Sequence, residues 1–128
     1  MFVIIICMAL VVFMPLVAKA PLAWQMHKSN GYDNRNPRQQ QAGLQGLGAR
    51  ALAAHQNCYE AIAYFAPTVL LVIAMDAHTV FTAQLCIAFV LLRLAYLICY
   101  WANWHIIRSI LWVLGMLTIG IHYYLLLR

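Results

Sequence analysis

Charge is what this sequence has least of. Lys, Arg, Asp and Glu make up 9% of its 128 residues, against about a quarter in an ordinary soluble domain, while 66% are hydrophobic. A soluble globular domain is therefore excluded. Also lacking is any cysteine framework: Cys7, Cys58, Cys86 and Cys99 all fall inside apolar stretches, at no metal-ligand spacing. Buried cysteine behaves as a small hydrophobe, so neither a disulfide scaffold nor a metal site is expected. No internal repeat is visible. No basic residue precedes the first apolar run, where a secretory leader carries its positive charge. Ala18-Lys19-Ala20 looks like a cleavage site, but Pro21 directly after it would hinder processing, so that run is expected to remain as a helix.

What the sequence has is long apolar runs. Four stretches, Phe2–Ala18, Leu52–Met75, Val80–Trp101 and Ile106–Leu127, approach or exceed the roughly 20 residues that span a bilayer. The expected architecture is an all-α integral membrane four-helix bundle, with residues 1–128 as one domain. The cations lie unevenly between the runs. Lys19, Lys28, Arg35, Arg38 and Arg50 sit in or beside the first connection, and only Asp33 opposes them. His105 and Arg108 mark the third connection, whereas the second has Asp76 and His78 and no Lys or Arg. The positive-inside rule then puts the first and third loops in the cytoplasm and the termini outside, with Arg128 dissenting. Topology accounts for the net charge of +5 without a nucleic-acid partner. Trp24, Trp101 and Trp104 fall near run ends, where aromatic belts form.

The only extended polar segment runs from about Trp24 to Gly48. It carries turn chemistry at Ser29-Asn30-Gly31, Asp33-Asn34 and Asn36-Pro37, and reads either as a solvated linker or as a turn presenting Arg35 and Arg38 to an anion. The second apolar run begins with small residues, Ala51, Ala53 and Ala54, which let membrane helices approach closely. It ends in plain aliphatics after Pro67, a mid-span proline that neighbouring helices must accommodate.

Glu60 is the unusual residue. An ionisable side chain inside a membrane helix is costly, and normally faces a partner or a water-filled cavity. At 100° per residue, Arg50, Asn57 and Glu60 share an arc of about 80° on one helix. Arg93, Tyr96 and Tyr100 share an arc of about 60° on the next, with Asn103, Arg108 and Ser109 near the same membrane surface. A direct pair of Glu60 with Arg93 or Arg50 would make the set structural glue. That explains poorly three arginines around one carboxylate; a surplus of arginine in a low-dielectric crevice attracts an anion, and arginine grips carboxylates bidentately.

These residues resemble the MAPEG superfamily, the membrane-associated proteins of eicosanoid and glutathione metabolism. Arg50-Ala-Leu-Ala-Ala-His55-Gln-Asn57-Cys-Tyr-Glu60 looks like its R-x6-N-x2-E signature. Arg93-Leu-Ala-Tyr96 with Tyr100, Tyr100-Trp-Ala-Asn103, Arg108-Ser109 and the loop stretch Gly31-Tyr-Asp-Asn-Arg35-Asn-Pro-Arg38 also match, the last as in small bacterial members. The resemblance implies a homotrimer with glutathione, a co-substrate, in a cleft between subunits. The first two spans of one subunit and the last two of the next would form it. Arg50, Asn57 and Glu60 would hold the tripeptide, Glu60 taking its amino group. Arg93, Tyr96 and Tyr100 would meet its carboxylates and backbone, and Arg38 a carboxylate. Arg108 would stabilise the thiolate, with Ser109 donating to the sulfur, although Arg108 also reads as a topology-setting cation.

Two departures stand out: Ala53 replaces a second arginine common in the family, and Ala61 follows Glu60 where leukotriene-forming members carry tyrosine. The implied activity is a membrane-bound transferase or peroxidase joining glutathione thiolate to an apolar electrophile, or reducing a lipid hydroperoxide, that arrives through the bilayer. The expected location is a multi-pass protein of a bacterial inner membrane. The alternatives are a non-catalytic lipid-binding member of the same fold and a small proton-coupled exporter built around Glu60, against which Arg50 and Arg93 argue.

Overall fold

The computed structural model describes residues 1–128 as five helices and no strand: α1 (Phe2–Asn30), α2 (Pro37–Ala42), α3 (Leu47–Ala74), α4 (Val80–Trp101) and α5 (His105–Leu126). Four of them, all but α2, are long and apolar enough to cross a membrane. The chain is thus all-helical, with the four long helices as an antiparallel bundle and α2 inside the first connection.

The helices are apolar nearly all round, yet each buries only a stripe. On α1 the buried residues are Ile4, Cys7, Val11, Met14, Ala18, Leu22 and Met26, a seam spaced three or four apart. Phe2, Phe13 and Leu16 point away from it and are exposed, as side chains bathed by lipid would be. The seam explains why α1 continues twelve residues past Ala18, where its strongly apolar run ends. Leu22 and Met26 keep the register and dock on Ala51 and Trp101, through both Pro15 and Pro21.

α1 packs chiefly on α3, and α4 on α5, with α1 and α3 both crossing α4. The core is bulky at one end. There Phe65 and Phe89 stack at 4.4 Å among Ile4, Val11, Val69, Val72 and Ile119. It thins towards the other end, where Ala18, Ala54 and Cys58 let α1 and α3 close up. A buried polar knot sits at the bulky end. His122, fully buried, meets the Thr118 carbonyl at 2.8 Å, the Thr82 carbonyl at 3.3 Å and the Cys86 sulfur at 3.6 Å, tying α5 to α4.

The connections are tied locally. Thr79 and Thr82 form a reciprocal capping box at the start of α4. In the first connection Gln40 of α2 acts as a hub. Its Nε2 donates to the Met26 and Gly31 carbonyls at 3.0 and 2.7 Å, and its Oε1 accepts from the Asp33 amide at 3.0 Å. Asp33 in turn accepts from the Arg35 and Asn36 amides, the side-chain turn its residue type favours. The segment around Arg38 is therefore a built loop rather than a slack linker.

Candidate functional site

The site starts from Asn57 on α3. Arg93 of α4 reaches across and donates from Nη2 to both the Asn57 side-chain Oδ1 and, at 3.2 Å, its backbone carbonyl. The Asn57 amide then donates to Glu60 Oε2 at 2.6 Å, one turn along the same helix. Arg93 and Glu60 are thus joined through an amide, and the direct ion pair between Glu60 and Arg93 or Arg50 does not form. The chain's sole salt bridge is Asp76 with His78, on the second connection. The amide relay separates two environments. Arg93 is 2% exposed and its Nε donates to nothing in the chain, whereas Glu60 lies exposed on the outer face of α3. A buried guanidinium with a spare donor and an outward carboxylate at span depth are both unfinished.

From Arg93 the site continues as alternating cations and rings. The guanidinium carbon of Arg93 lies 4.2 Å from the Tyr96 ring centre. Tyr96 meets Tyr100 edge to face at 5.5 Å, and Arg108 of α5 sits 4.2 Å over Tyr100. Each ring offers its negative face to a cation, which holds two arginines near one another in a low-dielectric setting. The spacing 93, 96, 100 is one face of α4, so the ladder follows from helix geometry and one contact to α5. Beside it lies a cavity of about 230 Å³ lined by Tyr96, Tyr100, Arg108, Ser109, Trp112 and Val113.

Of the remaining sequence candidates, Ser109 stays beside this centre while Arg50 and Arg38 separate from it. Ser109 lines the cavity, but its hydroxyl donates to the His105 carbonyl at 3.0 Å within its own helix. Arg50 lies at the start of α3 and donates from Nε to the Trp101 carbonyl at 3.3 Å. Arg38 lines a different cavity, of about 390 Å³, with Lys19, Tyr32, Gln41, His55 and Tyr59, between α1, the first connection and α3. That cavity holds two cations and no carboxylate. Within it His55 meets Tyr59 edge to face at 5.3 Å and bonds to the Pro15 carbonyl at 3.0 Å. The set is therefore divided: Asn57, Glu60, Arg93, Tyr96, Tyr100, Arg108 and Ser109 lie together, while Arg38 lines another cavity and Arg50 meets the end of α4. The resemblance divides α3 and α4 residues between subunits; here Asn57 and Arg93 are bonded within a single chain.

Trp112 and Lys19 escaped sequence reasoning. Trp112 is one turn after Arg108 on the same face of α5, a signal that was available but drowned in an apolar run. Lys19 was absorbed into the charge count of the first connection, and only the continuation of α1 past Ala18 turns it towards Arg38.

The MAPEG family model matches residues 3–128, nearly the whole chain. No curated protein and no solved structure matches it.

Proposed function

The chain belongs to the MAPEG family, and on that premise we propose that it is a membrane-bound, glutathione-dependent transferase or peroxidase. The observation that carries the reading is the Arg93–Asn57–Glu60 relay, with a spare guanidinium donor at one end and an exposed carboxylate at the other. Glutathione carries an ammonium and two carboxylates. Its ammonium would meet Glu60, its acidic groups Arg93 and the tyrosine hydroxyls, and its sulfur would lie by Arg108. A neighbouring cation lowers a thiol's pKa and so raises the thiolate fraction at neutral pH. The thiolate attacks the electrophilic carbon, the C–S bond forms and the leaving group departs. With a hydroperoxide, the first thiolate takes one oxygen and releases the alcohol. A second glutathione then displaces water to give the disulfide.

The exposed Glu60 also supports a homotrimer. A carboxylate facing hydrocarbon is costly, and a second copy presenting its Arg38 cavity would cover it and add two cations for the ligand's far carboxylate. The exporter reading is weakened by the Asn57 amide already held on Glu60 and by the arginines behind it.

Calorimetry of glutathione binding to the detergent-purified protein tests the proposal, comparing wild type with Glu60→Ala and Arg93→Met. Methionine is chosen because it fills the buried position with an apolar side chain of similar length. Both variants should lose binding at least tenfold while staying folded. A folded wild type that binds no glutathione would leave the lipid-binding and exporter readings.

A further inference from the structure

Arg50 opens the R-x6-N-x2-E signature, yet its surroundings give it different work from that of Asn57 and Glu60. Glu60 is ten residues further along α3, about 15 Å at the helical rise, so the two side chains share a face at different depths of the bundle. What Arg50 touches is the end of α4. In the last turn of that helix the Ile98 carbonyl accepts from Ala102 N–H at 2.9 Å. Cys99 accepts from Trp104 N–H at 2.9 Å and Tyr100 from Asn103 N–H at 3.3 Å, the crossed pattern of a Schellman cap. Asn103 occupies the left-handed position this cap requires, with φ 63°. The Trp101 carbonyl has no backbone donor, and Arg50 Nε supplies one at 3.3 Å. The cation lies at the negative end of the α4 dipole, where it is favourable. Ala51, fully buried beside it, packs with Trp101, Leu22 and Met26, so the latch is seated on a hydrophobic contact.

The latched turn is short and consequential. Ala102–Trp104 joins α4 directly to α5, and the Trp104 carbonyl accepts the Arg108 amide at 3.0 Å. The geometry of that turn decides whether the Arg108 guanidinium lands over Tyr100. We infer that Arg50 is a positioning residue: by completing the cap of α4 it fixes the α4–α5 turn and so places Arg108 in the site. The structural part stands on the hydrogen bonds; the consequence for thiolate chemistry rests on the proposed glutathione reading.

The test uses full-length protein with Arg50→Ala, Arg50→Lys, and Arg50→Ala combined with Asn103→Gly. Glycine takes a positive φ without strain, so it strengthens the cap by a route that touches no ligand. Three quantities are measured: amide hydrogen exchange of Ala102–Trp104, glutathione affinity, and the pH profile of turnover with a soluble aryl halide. In Arg50→Ala the turn amides should exchange about tenfold faster. Turnover should fall about tenfold and its acid limb move to higher pH, with glutathione affinity changed less than threefold. Arg50→Lys should recover part of the protection, and Asn103→Gly in the double variant should recover both protection and turnover. Affinity weakened tenfold or more with the turn still protected would make Arg50 a ligand residue and overturn the inference. So would a double variant that regains nothing. A wild type without turnover would count against the glutathione reading alone, since the exchange measurements decide the latch independently.

Discussion

Replacing Asn57 by leucine should destabilise the bundle by about 2 kcal/mol, and the size of that loss follows from which bond is cut. Arg93 holds Asn57 twice, through the side-chain Oδ1 and through the backbone carbonyl at 3.2 Å, and only the first disappears. A hydrogen bond to a charged group contributes about 1.5–3 kcal/mol net. Removing a buried charge's partner altogether costs about 3–5 kcal/mol, but the surviving carbonyl keeps Arg93 from that limit. Neutral polar contacts between membrane helices average only about 0.6 kcal/mol, so a loss near 2 would single out this bond as charge-assisted. Asn57→Asp keeps an oxygen for Arg93 and should return to within about 1 kcal/mol of wild type, although Glu60 then loses its donor. Glu60→Gln, on the exposed face of α3, should leave stability unchanged. Reversible unfolding in mixed detergent, followed by helical circular dichroism, measures all three. A leucine variant as stable as wild type within about 0.5 kcal/mol would mean that Arg93 is held by something other than Asn57.

Two further outcomes follow from parts of the molecule away from that relay. Gln40→Leu removes the hub of the first connection and its bonds to Met26, Gly31 and Asp33, at about 1 kcal/mol each before water replaces some of them. Limited proteolysis within residues 31–36 should accelerate roughly tenfold while the midpoint of global unfolding barely moves, since loops open independently of the core. His122→Ala empties a fully buried position and should cost about 3 kcal/mol in the same unfolding assay. Glutathione affinity should be unaffected there, because its partner Cys86 lies ten residues, about 15 Å, from Tyr96 along α4. A large change in affinity would show that the two ends of the bundle are coupled.

The bundle was legible because lipid imposes a simple rule: backbone polar groups must be satisfied within each segment, so long apolar runs become helices. The faces of α3 and α4 were legible for the same reason, since 57 with 60 and 93 with 96 and 100 are fixed by helical periodicity. The end of α1 was not. Lys19 and Pro21 interrupt the apolar run, and hydropathy gives no weight to a buried seam two residues wide. The seam itself, Met14, Ala18, Leu22, Met26 at intervals of four, was present in the letters but acquires meaning only from Ala51 and Trp101 opposite. The partner of Arg50 is hidden for a similar reason. The angle of Arg50 on the helix matches Asn57, and nothing local reveals that its partner is a carbonyl fifty-one residues away.

The relation between Glu60 and Arg93 shows why side-chain types alone leave a membrane site undecided. A direct ion pair would have neutralised both charges and left less net charge of either sign for a ligand. Inserting an amide changes that balance. Asn57 offers its oxygen to the cation and its nitrogen to the carboxylate, so each charge is stabilised while neither is neutralised. Arg93 keeps an unused N–H in the interior, and Glu60 keeps acceptor capacity on the outer face. Such an arrangement is a poor choice if stability were its only purpose, because apolar packing or a closed pair would serve better. On the proposed glutathione reading, it would suit a ligand that carries both signs of charge, with its ammonium towards Glu60. Exchanging Asn57 for leucine therefore perturbs stability and binding together, whereas Glu60→Gln should divide them, leaving the fold intact and the ligand's ammonium without its partner.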